Sequence, residues 1–354
     1  MSKSPLENKH RIAVLAGDGI GLEVIPAAIE VIDLACRQSG FSMEWAQFPW
    51  GSDYFKEHGR MMPSDALETL AAHDAIFLGA VGDPAIADKE TLWGMLIPIR
   101  REFNQYINLR PVRTLDGVKH VGTAKIDLMI VRENSEGEYS DVGGRFGTGE
   151  AETAVQEAIF TRKGIARATE YAAHIAAGRR KHITSATKSN GIIHTMPFWD
   201  EVVRETLIKH PDLELESILI DALAAKIVLH PERMDVLVAS NLFGDIVSDL
   251  AAAMAGSIGI APSANLNPER QFPSMFEPVH GSAPDIAGQG VANPVGAMWA
   301  GAMMLDHLDE TEASSRIIAA FERVIAAGTS TADLGGQSTT REFTDAVLAE
   351  LTTT

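Results

Sequence analysis

Short, wholly apolar runs alternate along this chain with segments whose apolar positions recur every three or four residues, the pattern of buried strands and amphipathic helices. Arg11–Ala16 predicts a buried strand, a glycine turn follows at Gly17-Asp18-Gly19-Ile20-Gly21, and a helix runs from about Leu22 to Gln38, with Ile25, Ala28, Ile29, Ile32 and Ala35 or Cys36 on one stripe. Further on, Phe41–Phe48 and Asp74–Ala80 predict strands, Pro63–Ala72 a short helix begun by Ser64 or Asp65, and Leu92–Tyr106 a helix carrying Arg100 and Arg101. Ile107–Val112 is extended, Ile126–Val131 is a strand delivering Arg132 and Glu133, and the glycine-rich stretch Asn134–Glu150 leads into the alternating Thr153–Phe160. We expect this stretch to form an arm or sheet edge rather than core.

Helices are predicted over Lys163–Arg180, Phe198–His210 and Asp221–Val228, interleaved with strands at Lys181–Ala186, Leu213–Leu219 and Met234–Ala239. From Asn241 through Asp249 and on to Met254 the chain reads as a helix. After Gly256 it is expected to be loop-rich as far as Val295, followed by helices over Gly296–Leu308 and Ser314–Ala327. Strands alternating with helices argue for a largely parallel sheet under helical cover, an α/β protein. No internal repeat or flexible linker marks a boundary, so any division into domains must come from packing.

Composition narrows the function. The 354 residues suffice for two domains, and a net charge of −18 repels phosphate backbones, so nucleic acid is an unexpected partner. The single cysteine, Cys36, lies in an apolar helical pattern and reads as packing; it can form neither an internal disulfide nor a thiolate cluster. The polar start, Met1–Arg11, lacks the apolar core of a secretory signal, and no run reaches the roughly 20 apolar residues that cross a bilayer. A cytoplasmic location is the expectation.

Chemistry concentrates at a few places. Asp245 and Asp249, four residues apart on a predicted helix, share a face, where a hard divalent cation would relieve their repulsion. The competing reading is a solvated helix start favoured by the macrodipole. Arg100, Arg110 and Arg132 stand at element ends, where the planar guanidinium suits bidentate carboxylate binding, against surface ion pairing as the alternative. Tyr139 and Lys188 could serve as acid and base if their surroundings tune them, and Asp221 could be only an N-cap. The glycine turn fails as a dinucleotide fingerprint, since counting from Gly17 the third glycine falls at Leu22. Phe276–Asp285 gathers Pro, Gly, His and two carboxylates, a loop able to wrap a ligand.

Taken together, Gly17-Asp18-Gly19-Ile20-Gly21, Asn108-Leu109-Arg110-Pro111, Val131-Arg132-Glu133-Asn134 followed by Tyr139, Thr187-Lys188-Ser189-Asn190, Asn241–Asp249 and Glu277–Asp285 resemble the β-decarboxylating dehydrogenases, the isocitrate and isopropylmalate dehydrogenase family. The resemblance runs from Ile12 to about Leu351. It implies an isopropylmalate dehydrogenase-like fold, not a Rossmann fold, with a mixed central sheet flanked by helices. A first, cofactor-binding domain would comprise 1–105 plus 259–354, and a second, dimerisation and metal domain 106–258, with an arm near 134–160.

The same resemblance implies a homodimer whose sites borrow Lys188 and Asp221 from the partner. Asp245, Asp249 and Asp221 would hold Mg²⁺ or Mn²⁺. Arg100, Arg110 and Arg132 would bind the carboxylates of a 2-hydroxy dicarboxylic acid, with Lys188 as base and Tyr139 as acid. Glu277, His280, Gly281, Ser282, Ala283, Asp285 and Asn293, with Asn190, would hold the cofactor. NAD is expected, because the carboxylate of Asp285 would repel the 2′-phosphate of NADP. A requirement for a monovalent cation such as K⁺ stays open.

Substrate choice should rest on Thr91–Leu96. Isocitrate enzymes place a serine and an asparagine where this chain has Gly94 and Leu96, and Trp93 replaces a glutamate common in isopropylmalate enzymes. These residues, with Glu136-Gly137-Glu138-Tyr139-Ser140 and Ser263–Arg270, look most like the tartrate and D-malate branch. The expectation is oxidation of D-malate or tartrate, with 3-isopropylmalate as the alternative. A non-catalytic regulatory subunit is a further reading, opposed by the presence of every expected metal and acid–base residue.

Overall fold

The computed structural model describes residues 9–122 and 124–353; the first eight residues of the polar start lie outside them. The chain divides into two compact units, Met1–Gln105 with Thr114–Val121 and Ala252–Thr354, and Tyr106–Arg113 with Gly122–Ala251. Thr114–Val121 joins the first unit because a backbone hydrogen bond ties Val121 to Met254 and Gly117 lies against the backbone at Ile325, too close to admit a Cβ. Among the described residues no helix is long and apolar enough to cross a membrane.

The first unit opens with β1 (Lys9–Gly17), α1 (Gly21–Gln38), β2 (Ser42–Gln47), α2 (Ser52–His58), α3 (Ala66–Ala71) and β3 (Ala75–Ala80). The helix expected over Leu92–Tyr106 is instead α4 (Asp88–Thr91), a π-helical turn (Leu92–Leu96) and α5 (Ile97–Glu102). Such π turns are frequent at functional sites because they rotate the side chains that follow. The Gly17–Gly21 turn is built for packing: a Cβ on Gly17 would lie 2.0 Å from the Ala80 carbonyl oxygen, and one on Gly19 2.0 Å from that of Ser282. Asp18, buried between them, accepts from the Ser52 and Gly82 amides, both at 2.7 Å, and from the Ser52 hydroxyl at 2.6 Å.

The second unit holds β4 (Ile107–Arg113), β5 (Asp127–Glu133), β6 (Gly143–Phe146), β7 (Thr153–Gln156), α6 (Arg162–Ala177), β8 (His182–Thr187), α7 (Thr195–Leu207), β9 (Glu214–Leu219), α8 (Ile220–Leu229), β10 (Val236–Ala239) and most of α9 (Asn241–Ala255). Its sheet order is β4-β5-β10-β8-β9, with β5, β10, β8 and β9 parallel and β4 antiparallel to β5. The C-terminal ends of four strands therefore share one edge, and they deliver Arg132, Asn241, Lys188 and Asp221 there. Trp199 of α7 is fully buried and donates to Ser185 Oγ of β8 at 3.0 Å, fixing helix on sheet. The expected arm is a separate antiparallel hairpin, β6 with β7, all of whose residues are exposed.

Back in the first unit come β11 (Pro262–Leu266), β12 (Ser274–Pro278), α10 (Val295–His307), α11 (Thr311–Ala326) and α12 (Thr340–Thr353). The loop-rich expectation for 257–294 is thus corrected by two fully buried strands. They escape an apolar pattern because Ser263, Asn265, Ser274 and Glu277 are buried polar residues, Asn265 donating to Glu277 and Ser274 accepting from the Asn267 amide. This unit's sheet runs β2-β1-β3-β12-β11, parallel except for β11. Helix α10 is buried along nearly its whole length, and Gly301 lets Ile32 of α1 approach where a Cβ would stand 2.3 Å from Ile32 Cδ1. Phe77 and Phe276, fully buried in this sheet, each contribute about 1.5–3 kcal/mol by burial.

Candidate active site

Helix α9 is amphipathic about a buried row of Phe243, Val247 and Ala251, and this orientation leaves Asp245 and Asp249 on the side that meets Arg110 and Arg132. Arg110 of β4 stands 3.2 Å from Asp245 Oδ1 and 3.3 Å from Asp249 Oδ1, and it donates to Ser248 Oγ at 2.7 Å and Asn108 Oδ1 at 2.8 Å. Arg132, at the end of β5, pairs with Asp245 and donates through Nε and Nη2 to Asn241 Oδ1 at 3.0 and 2.7 Å. Both guanidinium groups are nearly buried, so their charges demand partners and the two aspartates supply them.

Gly244 permits this: a Cβ there would meet Arg132 Cβ at 2.7 Å and Cγ at 2.8 Å, displacing the arginine from the helix surface. The Tyr139 hydroxyl donates to Asp245 Oδ2 at 3.1 Å, and Arg132 lies over its ring with Cζ 5.7 Å from the centroid. Burial raises the Asp249 carboxyl, and the charge of Asp245 acts in the same direction against Arg110 and Arg132. The site therefore combines two cations, two carboxylates and a phenol, with the carboxylates on one helical face.

Lys188 follows β8 and Asp221 opens α8, and their Nζ and Oδ1 atoms lie 2.5 Å apart. The hydrogen bond from Lys188 holds the Asp221 carboxyl below its ordinary range. Among the described residues no group of three His, Cys, Asp or Glu converges within this single chain, so Asp221 does not join Asp245 and Asp249 there. Asn190 is exposed beyond β8.

The first unit carries the remaining predicted residues. Glu277 of β12 accepts from Arg100 Nη2 at 3.0 Å and from Asn265 Nδ2 at 2.7 Å, while the buried Arg100 Nε has no hydrogen-bond partner. His280 contacts the Gly281 carbonyl through Nδ1 at 3.0 Å; its buried Nε2 is unpartnered, and burial lowers its pKa, which keeps the ring neutral. The Ser282 carbonyl accepts from the Ile20 amide at 2.9 Å, anchoring the loop to the glycine turn. Ala283 adopts φ 41°, and Gly281 and Asp285 are exposed. Asn293 donates to Asp333 Oδ2 at 3.0 Å and accepts from the Val295 amide at 3.0 Å, at the start of α10. In the π turn, Trp93 lies beneath Arg101, Cζ 5.0 Å from the ring centroid, and Leu96 packs on the core formed by Trp50, Met61 and Met95.

Reading by sequence did not assign Asn108, Asn241, Ser248 and Glu138, which orient the arginines and cap α9. All four fall within the sequence motifs, Ser248 and Glu138 directly beside Asp249 and Tyr139, but the partners of Asn241, Ser248 and Glu138 are brought to them only by folding.

A family model described as isocitrate/isopropylmalate dehydrogenase matches residues 11–347. The chain is 52% identical over 347 residues to a probable tartrate dehydrogenase/decarboxylase of Bacillus subtilis (strain 168), covering 97% of this chain and 98% of that protein. It is also 52% identical over 350 residues to the D-malate dehydrogenase [decarboxylating] of Escherichia coli (strain K12), covering 95% and 97%. The solved structure of isocitrate dehydrogenase from Methylococcus capsulatus superposes with a TM-score of 0.89 at 34% identity, over 97% of this chain and 99% of that one.

Proposed function

The chain belongs to the isocitrate/isopropylmalate dehydrogenase family, and on that premise we propose that it oxidises and decarboxylates D-malate, tartrate or both with NAD, giving pyruvate and CO₂ from D-malate. It is an oxidoreductase, as its decarboxylating dehydrogenase relatives are named. The observation that carries the reading is the meeting of Arg110, Arg132, Asp245, Asp249 and Tyr139 on one face of α9.

The residues fit the groups such a reaction needs. Asp245 and Asp249 are hard oxygen donors on one face, suited to Mg²⁺ or Mn²⁺, with Asp221 of a second copy as third ligand. A divalent cation so held would polarise the substrate's hydroxyl and the charge that develops as CO₂ leaves. For NAD, the neutral His280 offers an unpartnered Nε2, Asp285 presents an exposed carboxylate to ribose hydroxyls, and Ser282, Ala283, Glu277, Gly281, Asn293 and Asn190 complete the candidate set. NAD supplies the hydride acceptor.

The chain's own groups then divide the remaining work. Arg110, Arg132 and Arg100, whose Nε is free, hold the two carboxylates and orient the C–C bond to be broken. Lys188 removes the hydroxyl proton, and Tyr139 returns a proton to carbon after CO₂ departs. The indole of Trp93 limits the third substituent to hydrogen or hydroxyl.

A homodimer follows from the same set. Among the described residues Asp221 forms no acidic cluster with Asp245 and Asp249, and Val228, Leu229 and Ile246 on α8 and α9, with Phe146 and Val155 on the hairpin, expose apolar surface suited to a second copy. Initial rates with D-malate, tartrate and 3-isopropylmalate, each with NAD and Mn²⁺, test the proposal. A higher kcat/KM for 3-isopropylmalate than for either of the others overturns the substrate assignment.

A further inference from the structure

We infer that Glu138 is a positioning residue that sets Tyr139 in register with Asp245, by capping, from within the loop that bears the tyrosine, the helix that bears the aspartate. Its Oε1 accepts from Ser240 Oγ at 2.9 Å and its Oε2 from the Leu242 amide at 3.2 Å. Leu242 is the second residue of α9, so its amide has no intrahelical carbonyl to bond. The Ser240 hydroxyl reaches the Phe243 amide only at 3.5 Å, a weak bond, so the carboxylate of Glu138 supplies most of the cap. A negative group is the suitable one here, because the first turn of a helix carries partial positive charge.

The loop that presents Glu138 is itself pinned. The fully buried carboxylate of Glu133 accepts from Ser135 Oγ at 2.6 Å and the Glu136 amide at 2.7 Å. Glu136 in turn accepts from the Thr161 amide at 2.7 Å and hydroxyl at 2.6 Å, at the start of α6. Asn241 Nδ2 donates to the Glu136 carbonyl at 3.3 Å. The Tyr139 hydroxyl then reaches Asp245 at 3.1 Å, which closes a circuit running from phenol to helix turn to cap and back through one peptide bond. Both carboxylate oxygens of Glu138 are engaged inside this circuit, so its contribution to turnover passes through Tyr139 and α9.

The inference rests on the roles proposed above for Tyr139 and Asp245. Its test uses the full-length enzyme carrying Glu138→Ala, Glu138→Gln, Tyr139→Phe and the Glu138→Ala/Tyr139→Phe pair. Steady-state rates on D-malate are read beside Mn²⁺ affinity measured calorimetrically without substrate. We expect Glu138→Ala to lower kcat by about 10–100-fold with KM changed less than about threefold, and Glu138→Gln, which keeps an oxygen acceptor in place, to recover most of the loss. With Tyr139→Phe already present, Glu138→Ala should cost less than about threefold, because coupled residues are non-additive. Mn²⁺ affinity should fall several-fold in Glu138→Ala.

Equal losses in both backgrounds overturn the coupling to Tyr139. A lower melting temperature with kcat and Mn²⁺ affinity of the folded enzyme unchanged reduces Glu138 to an ordinary cap and also overturns it. If Tyr139→Phe alone retains full turnover, the assignment of the acid fails instead, and the Mn²⁺ measurement still decides whether Glu138 positions Asp245.

Discussion

Lys188 Nζ lies 2.5 Å from Asp221 Oδ1, at the ends of adjacent parallel strands, whereas Asp245 and Asp249 pair with Arg110 and Arg132. On the proposal above, this pair is the base and the metal ligand that one copy lends to the site of a second. If so, mixing two inactive chains should rebuild activity. Lys188→Ala and Asp245→Asn chains, co-expressed with different tags, would give heterodimers with one intact site and one doubly altered site. Random pairing then restores about one quarter of wild-type turnover, whereas each homodimer stays inactive. No recovery in isolated heterodimers places all the residues in one chain and overturns the shared site.

Asp245 accepts from Arg110, Arg132 and Tyr139 together, so its replacement alters the proposed cation site directly. Asp245→Asn is expected to lower Mn²⁺-dependent kcat by at least about 10²–10³-fold, the scale on which a single charge-stabilising contact acts. NAD affinity, followed by fluorescence titration, should stay within about twofold, since every proposed cofactor residue except Asn190 lies in the other unit and sites without shared partners act independently. Turnover that survives the change shows that the cation is held elsewhere.

How much of this was legible depends on whether a residue's partner is near in sequence. The strand at Met234–Ala239 stood out as a short apolar run, and the helix carrying Asp245 and Asp249 as the alanine-rich segment that follows it. The strands Pro262–Leu266 and Ser274–Pro278 did not, because Asn265 and Glu277 are polar and buried, with Glu277 accepting from Asn265 and from the distant Arg100. Asp18 is similar: its glycine turn failed as a dinucleotide fingerprint but gave no sign that its carboxylate would bind Ser52 and Gly82. Glu138 served only to mark a branch of the family, since its partners Ser240 and Leu242 lie more than 100 positions away.

His307, the last residue of α10, has a ring 5.5 Å from that of Phe276, and burial pulls its pKa from 6.5 down to about 4, with Arg270 adding to the shift and Asp309 opposing it. Between those values the unfolded chain holds more protons than the folded one, so stability rises with pH. The contribution is complete above about pH 6.5 and is lost as pH falls toward about 4, roughly 2 kcal/mol of it by about pH 5. Denaturant midpoints of wild type and His307→Gln, compared between about pH 7.5 and pH 5, should show a smaller acid loss in the variant. An identical loss in both assigns the acid sensitivity to other groups.

Asp285 is exposed in the turn after Ala283, whose φ of 41° bends the loop. The proposed preference for NAD rests on this carboxylate, because an exposed negative charge near the 2′ position disfavours a phosphate there by about 1–2 kcal/mol, roughly tenfold or more in affinity. Asp285→Lys replaces the repulsion with an attraction. It should raise kcat/KM for NADP by at least about tenfold and lower that for NAD by a similar factor through the lost ribose hydrogen bonds. The effect on NADP should weaken with added salt, as an exposed ion pair must. A variant that weakens NAD use without improving NADP use shows that Asp285 binds ribose but does not govern the choice of cofactor. A variant that changes neither removes Asp285 from the cofactor set.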